Sequence, residues 1–235
     1  MHAIGIGALL VAAAQSIWIG KFGAEGPLPP PWRVVPLKRT IPPTRYRLTT
    51  IDGVPAVEAV ANSSIALLAR PVAVDLGRTP ILCWKWWIEA PVGGADMTRR
   101  RGDDYAARVY VAFDMPDSAL SLGTRVKLAL ARRIFGNEVP DAALNYVWDN
   151  RHRVGTWRKS PYTDRAQLIV QESGSAAARR WVAERVDVAR DFTRAFAGKP
   201  GTPIQVAIAT DTDNTRSTAR AAFADLRFVG RDEPC

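Results

Sequence analysis

Along most of the chain, hydrophobic and polar positions alternate with a period of two, the spacing of strands whose successive side chains point to opposite faces. Short runs of this kind occupy residues 45–49, 54–60, 65–69 and 72–75, separated by turn residues such as Asp52-Gly53 and Asn62-Ser63. Longer ones follow at 81–89, 104–113, 143–148, 166–171, 181–188, 204–210 and 221–229. About eleven turn-punctuated strands predict a mainly β fold, an antiparallel β-sandwich or jelly roll. Two stretches switch to a helical period. In 124–135, Val126, Leu130 and Ile134 recur at fours ahead of the stop signal Gly136-Asn137. In 189–197, Phe192 and Phe196 stand at i and i+4 before Gly198 and Pro200. Both are expected to be packing elements, giving the sandwich one or two short helices.

The same period divides the long strands into two faces. In 81–89, Leu82, Trp84, Trp86 and Ile88 share one face, and Cys83, Lys85, Trp87 and Glu89 the other. In 104–114, Tyr105, Ala107, Val109, Val111 and Phe113 oppose Asp104, Ala106, Arg108, Tyr110, Ala112 and Asp114. In 144–148, Tyr146 and Trp148 read as core and Asn145 points the other way. The apolar faces predict the core between two sheets. Lys85, Trp87, Glu89, Arg108, Tyr110 and Asn145 are then left for an outer or concave sheet face. Such a face suits a glycan, with aromatic plates for sugar rings and polar groups for hydroxyls or carboxylates. The alternative is a solvated sheet with cross-strand pairs such as Arg108 with Glu89.

The ends of the chain read differently. Seven prolines between 26 and 43 predict an extended lead-in segment over 15–43, ahead of a single sandwich domain over 44–235. Residues 3–14 are apolar, and Ala12-Ala13-Ala14 resembles a signal-peptidase site, so 1–14 is expected to be an export leader. The run is too short to span a membrane. Met1-His2 brings no Lys or Arg, which departs from the usual leader. Export predicts a periplasmic or secreted protein. Cys83 lies in an apolar run and Cys235 is the last residue, a placement that predicts two unpaired thiols and no disulfide.

Composition removes several function classes. The net charge is 32 − 23 = +9, but 26 of the cations are Arg scattered from Arg33 to Arg231, with Arg99-Arg100-Arg101 the one tight cluster. That dispersal argues against a nucleic-acid binder, which concentrates cations on one stripe, and leaves attraction to acidic polymers. Two His, one of them in the leader, cannot build a classical zinc site. No GxSxG, GxxxxGK[ST] or strand-to-helix GxGxxG occurs, so no nucleotide cofactor is expected.

Three constellations remain as candidate chemistry. Adjacent Asp103 and Asp104 repel each other and call for a cation, Arg108 being the nearest in sequence, or for turn amides. Asp211, Asp213 and Asn214, spaced after a strand end, are the oxygen set that a structural Ca²⁺ takes, or else an Asx-rich turn. The spacing is not that of an EF-hand. His152 with Arg108 and Tyr110 would suit an eliminative lyase, Arg neutralising a uronate and His or Tyr removing the proton.

The runs Leu82-Cys83-Trp84-Lys85-Trp86, Gly102-Asp103-Asp104-Tyr105-Ala106-Ala107-Arg108-Val109-Tyr110-Val111, Asn145-Tyr146-Val147-Trp148 and Thr210-Asp211-Thr212-Asp213-Asn214-Thr215 occur in this order. With these motifs the chain resembles the bacterial domain-of-unknown-function family 3047 from about residue 29 to 228. The resemblance implies an exported, mostly β protein and carries no catalytic residues over. Leu28-Pro29-Pro30-Pro31-Trp32 and Ala222-Phe223-Ala224-Asp225-Leu226-Arg227-Phe228 also look like the first and last strands of lectin-like sandwiches, an analogy of fold alone. The expectation is an exported sandwich that binds a carbohydrate or other envelope polymer. A polysaccharide lyase or hydrolase on the same scaffold, or a non-catalytic envelope assembly protein, are the alternatives.

Overall fold

The computed structural model describes residues 16–135 and 139–235. The expected leader and the Gly136-Asn137 stop lie outside them. Six strands form one sheet: β1 (Ile17–Gly20), β3 (Arg45–Ile51), β4 (Val54–Asn62), β6 (Ile81–Ile88), β11 (Val182–Asp187) and β13 (Thr218–Val229). Seven form the other: β2 (Arg33–Pro36), β5 (Ala66–Pro71), β7 (Tyr105–Asp114), β8 (Ala142–Asp149), β9 (Trp157–Lys159), β10 (Ala166–Ser173) and β12 (Thr202–Asp211). Their orders are β11-β6-β13-β4-β3, with β1 also on β13, and β2-β5-β12-β7-β8-β10-β9. The expected β-sandwich is what forms.

Local chemistry explains several of these elements. Asp52 and Gly53, both at positive φ, make the two-residue turn that joins β3 to β4 in an unbroken register. The proline-rich lead-in supplies β1 to one sheet and β2 to the other. Residues 72–75, expected as a strand, instead lead into a turn in which Asp75 accepts from the amides of Arg78, Thr79 and Gly77. Helix α1 (Leu122–Phe135) and helix α2 (Val188–Phe196) match the two helical stretches. Asp187 caps α2 by accepting from the Arg190 amide, and Phe192 packs on Phe113 with centroids 4.7 Å apart. Of the packing face expected in α1, Val126 is 62% exposed, Leu130 and Ile134 lie outside the described side chains, and Leu128 is buried.

The core lies between the sheets. Leu82, Trp84, Trp86 and Ile88 meet Val109, Val111, Phe113, Tyr146 and Trp148, as the two-residue period requires. Trp84 and Trp86 pack edge to face, and each reaches an aromatic of β8 across the gap. Tyr105 is a correction. The β7–β12 register shifts between Ala209 and Asp211, and Tyr105 lies with Met97, Val147, Leu168 and Val170 on the outer face instead of in the core.

Cys83 and Cys235 are a second correction, because they are joined by a disulfide across 152 residues. Burial of Cys83 in an apolar run did not isolate it: Cys83 faces outward from β6, where the C-terminal residues fold back against the sheet.

Among the described residues no helix is long and apolar enough to cross a membrane.

Candidate functional site

The residues expected on one glycan face lie on opposite sides of the sandwich. Lys85 and Trp87 are on the outer face of the six-stranded sheet, with Glu89 just beyond β6. Lys85 pairs with Asp225 at 2.8 Å. Trp87 is only 7% exposed, packed among Ala56, Ala222 and Ala224, with Trp181 against the same cluster and the Arg220 guanidinium 5.3 Å from its ring. Its ring is therefore covered. Arg108, Tyr110 and Asn145 share the outer face of the seven-stranded sheet, where Tyr110 and Asn145 are cross-strand partners.

On that face Arg108 is the centre of a buried polar cluster. Its Nε donates to Asp211 Oδ1 at 2.8 Å and its Nη2 to Asp211 Oδ2 at 2.6 Å. Nη1 donates to Tyr110 Oη at 2.9 Å, Nη2 also reaches the Asp103 carbonyl, and the Tyr105 ring lies 4.2 Å from Cζ. Burial works against the charge, but Asp211, Tyr110 and Asp103 more than offset it and hold the guanidinium above its ordinary pKa. Burial also pushes Asp103 upward, against the pull of Arg108. Glu89 is not its partner.

The two aspartate motifs are thus one cluster. Asp104, Asp211 and Asp213 bring carboxylate oxygens within 4.8 Å of one another. Those oxygens already have donors: Asp104 accepts from the Asn214 and Thr215 amides, Asp211 from Arg108, and Asp213 from Lys38 at 3.3 Å. Asn214 turns its Nδ2 to Asp104 and its Oδ1 to Tyr162, so its oxygen faces away from the carboxylates. With these oxygens already taken by amides, Arg108 and Lys38, the set fits an internally hydrogen-bonded turn better than a cation site.

His152 is tied to Asp149, three residues before it. Its Nδ1 lies 3.0 Å from Asp149 Oδ1, which also accepts from the Arg151 and His152 amides. Arg108, 4% exposed and with all three nitrogens engaged, has no free fork for a uronate carboxylate. Burial lifts the Tyr110 phenol well above its ordinary pKa, the wrong direction for a base. The eliminative constellation is therefore not assembled.

What this face does offer is a cleft of about 580 Å³ running across the strands. Its floor is a row of small residues in register, Ala112 of β7 beside Ala143 of β8 beside Ala166 of β10, with Gln205, Ala207 and Tyr110 alongside. Side chains this small leave depth where a sheet would otherwise present a flat surface. Leu128 of α1 and Pro140 rise on one side, Tyr162 and Arg100 on the other. β8 and β10 are parallel, so residues 150–165 must cross back between them, and this return brings Tyr162 onto the face. Tyr162 is exposed yet fixed, its Oη within 2.9 Å of both the Arg100 carbonyl and Asn214 Oδ1, and the Arg100 guanidinium 5.6 Å from its ring. Close packing supports this wall, because a Cβ on Gly102 would come within 2.8 Å of the Asp96 backbone.

Of the residues singled out in the sequence, only Tyr110 lines the cleft; Arg108, Asp103, Asp104, Asn145 and Asp211 support it from beside or beneath. Arg100, Tyr162, Arg165 and Gln205 were not anticipated. The one signal was the Arg99-Arg100-Arg101 cluster, noted for its charge.

The model of the family described as Protein of unknown function (DUF3047) matches residues 30–227. The chain belongs to the DUF3047 family. No curated protein matches this DUF3047 chain by sequence. Its fold is similar to the family 11 carbohydrate-binding module of a cellulosomal cellulase of Clostridium thermocellum, at 11% identity and TM-score 0.44, covering 95% of this chain and 99% of that one. It is similar too to a family 30 carbohydrate-binding module of a cellulosomal cellulase of the same organism, at 10% identity and TM-score 0.40, covering 94% and 95%. A third is the xyloglucanase domain of NopAA, a type three effector from Sinorhizobium fredii, solved with cellobiose, at 8% identity and TM-score 0.43, covering 85% and 91%.

Proposed function

We propose that this protein binds a carbohydrate in the cleft across the outer face of its seven-stranded sheet. The observation that carries the reading is Tyr162, an exposed aromatic wall held by Arg100 and Asn214 over a trough of alanines. A fixed aromatic ring costs little entropy to stack on a sugar face, and Tyr110, Gln205 and Arg165 give hydroxyls polar partners along the floor. We further propose that the protein works outside the cytoplasm, periplasmic or secreted. The Cys83–Cys235 disulfide supports this, because such bonds persist in oxidising compartments. The acidic cluster is read as the scaffold that holds Tyr110 and Tyr162, with Arg108 and Lys38 in place of Ca²⁺.

A glycan array with the purified chain, repeated with Ala143→Trp, tests the binding reading. Binding by the unmodified chain and its loss when an indole fills the floor are expected. No binding to any neutral or acidic glycan, or full binding by Ala143→Trp, would overturn it.

A further inference from the structure

The polar groups of the cleft differ in kind, and the difference points to a ligand class. Tyr110 Oη receives Nη1 of Arg108 at 2.9 Å. A guanidinium can only donate, so the phenol is the acceptor and its own proton is free for a ligand. Burial raises the Tyr110 pKa, which keeps that proton in place at neutral pH.

Arg165 stands two strands away, immediately before Ala166 on the floor. Its Nε donates to the Asp141 carbonyl at 2.7 Å and its guanidinium lies 5.3 Å from the Phe196 ring. Its Nη2 is shut off from water with no hydrogen-bond partner among the described residues. Orphaned charged donors of this kind are rare in folded proteins, and a turn of the Arg165 side chain toward the cleft that it lines would bring this one to an acceptor. Arg100 adds a second cation at the wall, against Asp164 as the one carboxylate of the lining among the described residues.

A neutral glycan offers hydroxyls that both donate and accept, and would be matched by a balanced set of donors and acceptors. Tyr110, Arg165 and Arg100 are weighted toward donors. We propose that the cleft selects a saccharide carrying an anionic oxygen, the carboxylate of a uronate or a sulfate ester, with Arg165 and Tyr110 as its recognition groups. The proposal rests on the carbohydrate reading above and specifies the ligand class for the same site.

Calorimetric titration of the full chain with four hexasaccharides separates the outcomes: oligogalacturonate, its methyl ester, a sulfated galactan and neutral cellohexaose. Acid and ester share one shape and differ in charge, so their comparison needs no variant. At least one charged form is expected to bind about tenfold or more tightly than the ester, with affinity falling as salt rises. Whichever of the galacturonate and the sulfated galactan binds more tightly identifies the anionic group. Arg165→Gln should remove most of that preference and Tyr110→Phe part of it, with unchanged circular dichroism. Ester or cellohexaose binding as tightly as the charged forms would overturn the anionic preference while leaving carbohydrate binding intact. Binding of none of the four would overturn both.

Discussion

Arg108 and Asp211 meet side-on beneath the cleft, through paired hydrogen bonds of 2.8 and 2.6 Å, with both side chains almost wholly buried. Removing one partner strands the other charge out of water. Arg108→Met is therefore expected to lower stability by about 3–5 kcal/mol, with Arg108→Met/Asp211→Leu recovering much of the loss. Denaturant unfolding checks this. A single variant as stable as the unmodified chain would contradict the cluster's structural role.

The Cys83–Cys235 bond ties the C-terminus to β6 across 152 residues. Closing so long a loop restricts the unfolded chain, by up to about 5 kcal/mol on the chain-entropy account. Cys235→Ser, or reduction before denaturation, is expected to shift guanidinium unfolding to lower denaturant with the fold retained. Coincident curves with and without reductant would count against the bond.

Glu184 of β11 accepts from Trp86 Nε1 at 3.1 Å, and burial followed by the charge of Glu172 pushes its pKa from 4.5 up to about 8. A raised carboxyl pKa means that the folded state holds its proton more firmly than the unfolded chain does. The resulting stability is fully present below pH 4.5 and falls away as pH rises to about 8. Glu184→Gln keeps the acceptor for Trp86 and removes the titration. Its Tm is expected to exceed that of the unmodified chain at pH 8–9 and to vary less between pH 5 and 8. Parallel Tm profiles for the two proteins would refute the assignment.

The oxygens of Asp104, Asp211 and Asp213 are served by amides, Arg108 and Lys38. Saturating Ca²⁺ or EDTA should therefore leave Tm within about 1 °C, because a ligand that does not bind the folded state cannot stabilise it. A shift of about 5 °C or more with Ca²⁺ would mean that a cation displaces those donors.

Local pattern made much of this architecture legible. The alternation at Leu82, Trp84, Trp86 and Ile88 assigned their core face, Asp52-Gly53 marked the hairpin, and Phe192 with Phe196 marked α2. Alternation says which residues share a face of one strand, but not which of two sheets that strand joins. Trp87 and Arg108 were therefore grouped although the sandwich separates them. A register shift at the start of β7 turned Tyr105 to the outer face, and no local residue pattern marks it. The cleft was the least legible feature. Arg100, the neighbours Tyr162 and Arg165, and Gln205 come from three distant parts of the sequence, and small residues such as Ala112 and Ala143 signal a trough only once their strands are in register.

Amide NMR of the labelled chain titrated with oligogalacturonate hexamer tests carbohydrate binding in the cleft most directly. Saturable shifts are predicted at Ala112, Ala143, Ala166, Ala207 and Tyr162, with Ala222 and Ala224 on the opposite outer face unmoved. Shifts centred on Trp87 and its neighbours, or no shifts with this or any other oligosaccharide, would contradict it.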